Sequence, residues 1–261
     1  MRTMAEADPT LPSLSNMQSD HPSGLRLDKA YLRSRHIVGH LGNDSRSRPF
    51  NLWRTRLVKE ADERGARLIG LTSPTPAAGK SYLALNLAAS LARLGERPIV
   101  LVDLDLRRAS LADLLDLDIE AGVGDFLSGD IARLQDIGWV VNDLPLTLYP
   151  TRAVHSDSAE LISRESFSVL LELLRNQAPN ALVLFDLAPV FASDDTMIAV
   201  ESLDGYMLVA EAGRTNRSQV AESLEMLQPT PCLGTVLNRY QGGMLDSYGY
   251  GSSAYERYYE V

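Results

Sequence analysis

Between residues 66 and 238 the chain repeats one pattern: a short apolar run, then an amphipathic stretch. The runs are ARLIGLT (66–72), RPIVLVDLD (97–105), LTLYP (146–150), NALVLFDLA (180–188), YMLVAE (206–211) and CLGTVLN (232–238). Each reads as a buried strand. Between them, KSYLALNLAASLARL (80–94) reads as a helix closed by Gly95, and SLADLLDL (110–117) as a short one. Residues 158–176 carry Leu161, Phe167, Leu171 and Leu174 near helical spacing, and 216–227 form a further helix. Strands alternating with helices predict an α/β fold: a mainly parallel central sheet flanked by helices on both faces.

Composition supports a sizeable core, with 45% hydrophobic and 23% charged residues in 261. A net charge of -9 repels phosphate backbones and argues against nucleic-acid binding. The single cysteine, Cys232, excludes an internal disulfide framework and a cysteine-rich zinc site. His21, His36, His40 and His155 lie too far apart in sequence to suggest a metal site. No apolar run reaches the roughly 18 residues of a membrane span. The N-terminus lacks the apolar core of a signal peptide, so a cytoplasmic protein is expected. Residues 1–47 are expected to be a flexible arm and linker, because residues 1–30 hold no aromatic side chain and are rich in Pro, Ser, Asp and Met. A helix is expected from Phe50 to about Arg64, with Phe50, Trp53 and Leu57 on one face. The final segment, 239–261, holds six of the ten tyrosines, spaced by Gly and Ser without helical or strand period, and reads as a mobile tail.

The first run ends at Thr72 and is followed by SPTPAAGKS (73–81) and a helix. Strand, loop, GK[ST], helix is the context of a phosphate-binding loop, where backbone amides and a helix N-terminus surround an anion. The residues expected at the phosphates are Thr75, Pro76, Ala77, Ala78, Gly79, Lys80, Ser81 and Tyr82. Lys80 would reach the terminal phosphates of ATP, and the Ser81 hydroxyl would ligate Mg2+. The chain has only three lysines against 22 arginines, which weighs against chance at this position. The general pattern starts with Gly, but position 74 is Pro, so the loop must begin with a different shape.

Asp103 and Asp105 end the second run, and Asp186 ends the fourth. Residues two apart in a strand face the same way, which would point both Asp103 and Asp105 to the sheet edge where open parallel sheets bind ligands. Arg107 continues the alternation. Ser81, these aspartates and nucleotide phosphates are the hard oxygen donors that Mg2+ requires. The plain alternative is that Asp103 and Asp105 cap the next helix. Asp194 and Asp195 read as a helix cap, and Cys232 as core.

Taken in order, SPTPAAGKS, VLVDLDLRR, LVLFDLAP and a C-terminal tyrosine cluster resemble the bacterial tyrosine kinases of capsule and exopolysaccharide biosynthesis. The resemblance covers about residues 48–261 and includes DSAELI (157–162) and GTVLNR (234–239). It implies a P-loop kinase domain over 48–238 and a phosphoacceptor tail over 239–261, with Tyr248, Tyr250, Tyr255, Tyr258 and Tyr259 as acceptors. It also implies ATP and Mg2+ as cofactors, Lys80, Asp103, Asp105 and Asp186 as catalytic residues, and Asp103 as base or water-linked metal group. Asn238 and Arg239 would lie near the adenine. The implied partners are the cytoplasmic tail of a membrane polysaccharide co-polymerase and further copies of the chain in a ring-like oligomer. The family's oligomerisation motif, E-x-x-R-x-x-R, falls on Arg48, Asn51 and Arg54, and only the last arginine fits. Two other functions compete. A partitioning-type ATPase would carry a lysine at position 75, which is Thr. A non-catalytic regulatory subunit would have no need to keep Lys80, Ser81 and all three aspartates.

Overall fold

The computed structural model describes residues 24–25, 28–153, 157–177 and 180–241. Eight strands form one sheet in the order β1-β4-β5-β3-β6-β2-β7-β8. They are β1 (Gly24–Leu25), β2 (Leu68–Thr72), β3 (Ile99–Asp103), β4 (Trp139–Val141), β5 (Leu146–Tyr149), β6 (Leu182–Asp186), β7 (Gly205–Glu211) and β8 (Cys232–Asn238). All neighbours run parallel except β4 and β5. Every residue of β2, β3, β5 and β6 is buried, which is why the sequence shows unbroken apolar runs there.

The helices are α1 (Lys29–Ser34), α2 (Arg48–Arg64), α3 (Lys80–Ala92), α4 (Ser110–Leu115), α5 (Val123–Ser128), α6 (Ser158–Ile162), α7 (Glu165–Gln177), α8 (Asp195–Val200) and α9 (Arg217–Met226). One core, holding Phe167, Leu170, Leu174, Val183 and Phe185, lies under α7. The other, holding Leu57, Ala61, Leu85, Leu101 and Leu184, joins α2 and α3 to the opposite face. Gly65 closes α2 at φ +66, a left-handed position where a side chain would be strained.

Three expectations are corrected. From Asp28 onward the supposed arm and linker is part of the fold: Leu32, Ile37 and Val38 are buried. The reason is a tie that composition does not reveal. The buried Asn86 side chain of α3 accepts from Val38 N at 2.8 Å and Gly39 N at 3.0 Å, and Tyr82 donates to His36 O at 2.8 Å. Secondly, the helix expected over 158–176 is two, because the chain turns at Ser163 and Arg164. Thirdly, β3 stops at Asp103, so Asp105 lies in the following turn. Arg54, the arginine that fits the oligomerisation pattern, is engaged within the fold. It donates to Ser90 O at 3.0 Å and to Asn51 Oδ1 at 3.3 Å, and Arg93 joins the same Asn51 oxygen at 2.8 Å, bracing α2 on α3. The expected acceptor tyrosines 248–259 lie outside the described residues, as do most of positions 1–27.

Candidate active site

The loop after β2 delivers the chain to α3 through two left-handed residues, Ala77 at φ +64 and Gly79 at φ +89. Gly79 is required twice over, since a Cβ there would also overlap Asn238 Nδ2. Leu83 N is the first amide of α3 to bond back, reaching Gly79 O at 3.0 Å. The N–H groups of Lys80, Ser81 and Tyr82 therefore have no partner within the helix and suit an anion. Thr75 is half-buried, Pro76 and Ala77 are exposed, and Ala78 is buried. The Tyr82 side chain points to His36 and packs edge-on against Phe50 at 6.3 Å, so its contribution to the loop is its backbone.

Pro74 is explained by what its position does. The start of the loop uses carbonyls: Ser73 O accepts from Val190 N at 2.8 Å, and Pro74 O from Phe191 N at 3.1 Å. Thr72 Oγ1 adds a bond to Ala188 O at 2.7 Å. The segment after β6 thus carries the loop, and an N–H at position 74 is not used in that seam.

Asp103 and Asp186 face each other as register partners at the ends of β3 and β6. Both are fully buried, and Asp105 is 2% exposed. Asp103 Oδ1 accepts from Asp105 N at 3.2 Å and Oδ2 from Leu111 N at 3.1 Å, so this carboxylate shapes the turn into α4. The capping alternative is in that respect correct for Asp103. Asp105 Oδ2 lies 3.5 Å from Lys80 Nζ in an ion pair whose members are 5% and 3% exposed. Asp105 Oδ2 and both oxygens of Asp186 have no hydrogen-bond partner. Burial pushes Asp186 up to about 6, and the Lys80 charge and Ser81 hydroxyl pull it partly back. Burial, and then the charge of Asp186, raise Asp103 well above the ordinary carboxylate range.

Buried carboxylate oxygens without a hydrogen bond, beside the Ser81 hydroxyl, fit a hard divalent ion. Among the described residues no three Asp, Glu, His or Cys side chains converge as a complete metal cage. Asp186 and Ser81 would therefore hold Mg2+ together with phosphate oxygens and water, as Mg2+ commonly requires, while Asp105 stays paired with Lys80.

Asn238 ends β8 against the loop. Its Nδ2 donates to Ala78 O at 2.8 Å and its Oδ1 accepts from Arg239 N at 2.9 Å. Arg239, at φ +58, reaches back to the buried Glu211 at 2.7 Å. Both residues stand beside the phosphate loop, with the Asn238 amide engaged in bracing it. Arg107 lies at the rim, where Nε donates to Ser158 Oγ at 2.9 Å and sits 3.6 Å from Asp195 Oδ2. Asp195 was expected to cap a helix. Instead it is 1% exposed, its oxygens make no hydrogen bond, and it faces Arg107. Its paired neighbour Asp194 masked that role in the sequence, since either could cap. Asn86 was missed because a lone Asn inside an apolar helix carries no local signal.

The fold and the site together define a P-loop nucleotide-binding domain with carboxylates from two strand ends around its lysine. No protein-family model matches the chain. Individual relatives do. EpsB of Ralstonia nicotianae is 32% identical over 254 residues, 95% of this chain and 32% of EpsB. The tyrosine-protein kinase YwqD of Bacillus subtilis is 28% identical over 208 residues, 78% of this chain and 85% of YwqD. The succinoglycan biosynthesis transport protein ExoP of Rhizobium meliloti is 31% identical over 188 residues, 70% of this chain and 23% of ExoP. The chain spans about a third of the length of the EpsB relatives, 32% and 27%. The kinase domain of Escherichia coli tyrosine kinase ETK superposes with a TM-score of 0.73 at 22% identity, covering 92% of this chain and 96% of that domain. The VpsO kinase domain gives 0.67 at 25% identity, covering 82% and 100%. A more distant likeness, cobyrinic acid a,c-diamide synthase from Mycobacterium smegmatis with a bound ATP analogue and magnesium, gives 0.55 at 19% identity, covering 66% and 74%. Over most of its length the chain is similar to bacterial tyrosine-protein kinases, and its fold is that of their kinase domains. No helix among the described residues is long and apolar enough to cross a membrane.

Proposed function

We propose that the chain binds ATP with Mg2+ and transfers the γ-phosphoryl group to protein tyrosines, its own tail residues Tyr248, Tyr250, Tyr255, Tyr258 and Tyr259 among them. The observation that carries this is the buried set Lys80, Asp105 and Asp186 beside a phosphate loop: one cation paired to Asp105, and an Asp186 carboxylate with neither oxygen hydrogen-bonded. The kinase names and the ETK and VpsO domains support it.

The geometry supports the following chemistry. The free amides of Lys80, Ser81 and Tyr82 hold phosphate oxygens. Mg2+, when bound, neutralises charge on the β- and γ-phosphates. Lys80 exchanges Asp105 for the transferred phosphoryl and stabilises its charge. That exchange frees Asp105 to accept the proton of the attacking hydroxyl. A tyrosine hydroxyl has a pKa near 10 and needs such a base. Asp186 serves the metal, and Asp103, already bonded to two amides, positions the turn that carries Asp105.

By likeness to EpsB and ExoP, the process served would be exopolysaccharide or capsule assembly. Activation would come from the cytoplasmic tail of a membrane co-polymerase, which would also bring the chain to the inner face of the membrane. Several phosphates on one tail, each adding about -1.5 to -2 charges, would loosen an assembly of copies.

The test is intact mass after incubation with ATP and Mg2+, with and without a co-polymerase tail, using Lys80→Ala and Asp186→Asn as controls. Phosphates on the 239–261 peptide, absent from both controls, are expected. Nucleotide binding with no phosphate gained in any mixture would sink the kinase function and leave a regulatory ATP-binding subunit.

A further inference from the structure

Three elements meet at the rim of the carboxylate cluster in an arrangement that phosphoryl transfer does not use. Arg107 comes from the turn after β3, Asp195 from the start of α8 and Ser158 from the start of α6. Asp195 is a buried carboxylate with no hydrogen bond, 3.6 Å from Arg107 Nε. Such a group is tolerated only with a cation held against it. Ser158 Oγ takes the Nε proton at 2.9 Å. The guanidinium is therefore fixed along its inner edge. Its side chain is nevertheless 53% exposed, and the two terminal nitrogens make no hydrogen bond among the described residues. A planar fork held from behind with its outer N–H groups open suits a carboxylate or a phosphate.

Arg107 lies two positions after Asp105, a span of at most about 7 Å. The fork thus borders the place where an acceptor hydroxyl must arrive. The cleft itself is acidic: Asp103, Asp105 and Asp186 stand against the single cation Lys80. A peptide that brings its own carboxylate there is repelled unless a cation receives it. Four of the five expected acceptors bring one. Asp246 lies two residues before Tyr248, Glu256 follows Tyr255 and lies two before Tyr258, and Glu260 follows Tyr259.

We propose that Arg107, positioned by Asp195 and Ser158, is a specificity residue that receives the carboxylate flanking an acceptor tyrosine, so that the preferred substrate is a tyrosine with an acidic neighbour. This rests on the tyrosine-kinase function proposed above. The experiment is a double-mutant cycle on the full chain, read as initial phosphorylation rate at each tail tyrosine by mass spectrometry. One arm is Arg107→Gln, the other Asp246→Asn with Glu256→Gln and Glu260→Gln, and the third combines them. Each arm alone should slow Tyr248, Tyr255, Tyr258 and Tyr259 about 3- to 10-fold, with Tyr250 least affected. The combination should be no slower than either arm, and Arg107→Lys should restore part of the rate. Effects that multiply would overturn the proposal. So would a raised KM for ATP with both tails slowed equally, which would assign the fork to a nucleotide phosphate. A wild-type chain that binds ATP but gains no phosphate removes the kinase function first, and the Arg107 assignment falls with it.

Discussion

Asp186→Asn should make the nucleotide-free protein more stable while abolishing phosphoryl transfer. Burial pushes Asp186 up to about 6 in the fold from the ordinary carboxylate value of 3.8, so it binds a proton more tightly when folded. Stability from this group is full below about pH 4 and is lost as pH rises through about 6. Above that, an ionised Asp186 costs about 3 kcal/mol, from about two pKa units at 1.36 kcal/mol each. Asn is nearly isosteric and removes the charge, but leaves an unpaired amide that costs about 1 kcal/mol. The net gain is about 2 kcal/mol. For a chain of this size that is about 4–8 °C in Tm. Calorimetry without nucleotide at pH 7.5 should show the rise, and the gap should close towards pH 4. Asp103, raised partly by the charge of Asp186, is relieved in the same direction. A variant that melts at or below wild type at pH 7.5, or a gap that persists in acid, would refute this account of the site.

Three further outcomes follow from named contacts. Lys80→Met leaves Asp105 buried without its cation and should cost about 3–5 kcal/mol in urea unfolding, with Asp105→Asn in the same chain restoring most of it. Asn86→Ala strands the amides of Val38 and Gly39, so about 2–4 kcal/mol should be lost and protease cleavage should appear within residues 35–47. Gly79→Ala meets both a left-handed φ and Asn238 Nδ2, and should weaken binding of a fluorescent ATP analogue at least about 10-fold.

The site was legible because its parts are local. A buried strand, a loop and GKS occupy consecutive residues, and Asp103 and Asp186 each end an apolar run. Register then brings them together, since β3 and β6 are neighbours although 78 residues or more apart in sequence. What stayed hidden is non-local. The strand β4 has three residues and pairs antiparallel with β5, too short for any periodicity to mark it. Residues 28–47 look like linker by composition, yet Asn86 and Tyr82 hold them from a helix that follows. Pro74 reads as a defect in the loop pattern until the seam to Val190 and Phe191 shows which backbone groups the loop uses. Alternation put Asp103 and Asp105 on one face of a strand, but the chain leaves the sheet at Asp103. The side chains still share a neighbourhood, because Asp105 N returns to Asp103 Oδ1.

The same cluster fixes the order of ligand demands. Lys80 and the three free amides attract phosphate, while Asp105 and Asp186 repel it. At about 5 Å and an effective dielectric near 20, each carboxylate–phosphate pair costs about 3 kcal/mol. One ammonium cannot offset two such terms, least of all while it is paired to Asp105 at 3.5 Å. A divalent cation between carboxylates and phosphates reverses both signs at once. ATP in EDTA should therefore bind at least about 100-fold more weakly than with Mg2+ in titration calorimetry. Asp186→Asn should bind ATP in EDTA more tightly than wild type does and should gain little from added Mg2+. If EDTA changed wild-type affinity only a few-fold, the acidic groups would not be facing the phosphates, and the assignment of Asp186 to the metal would be wrong.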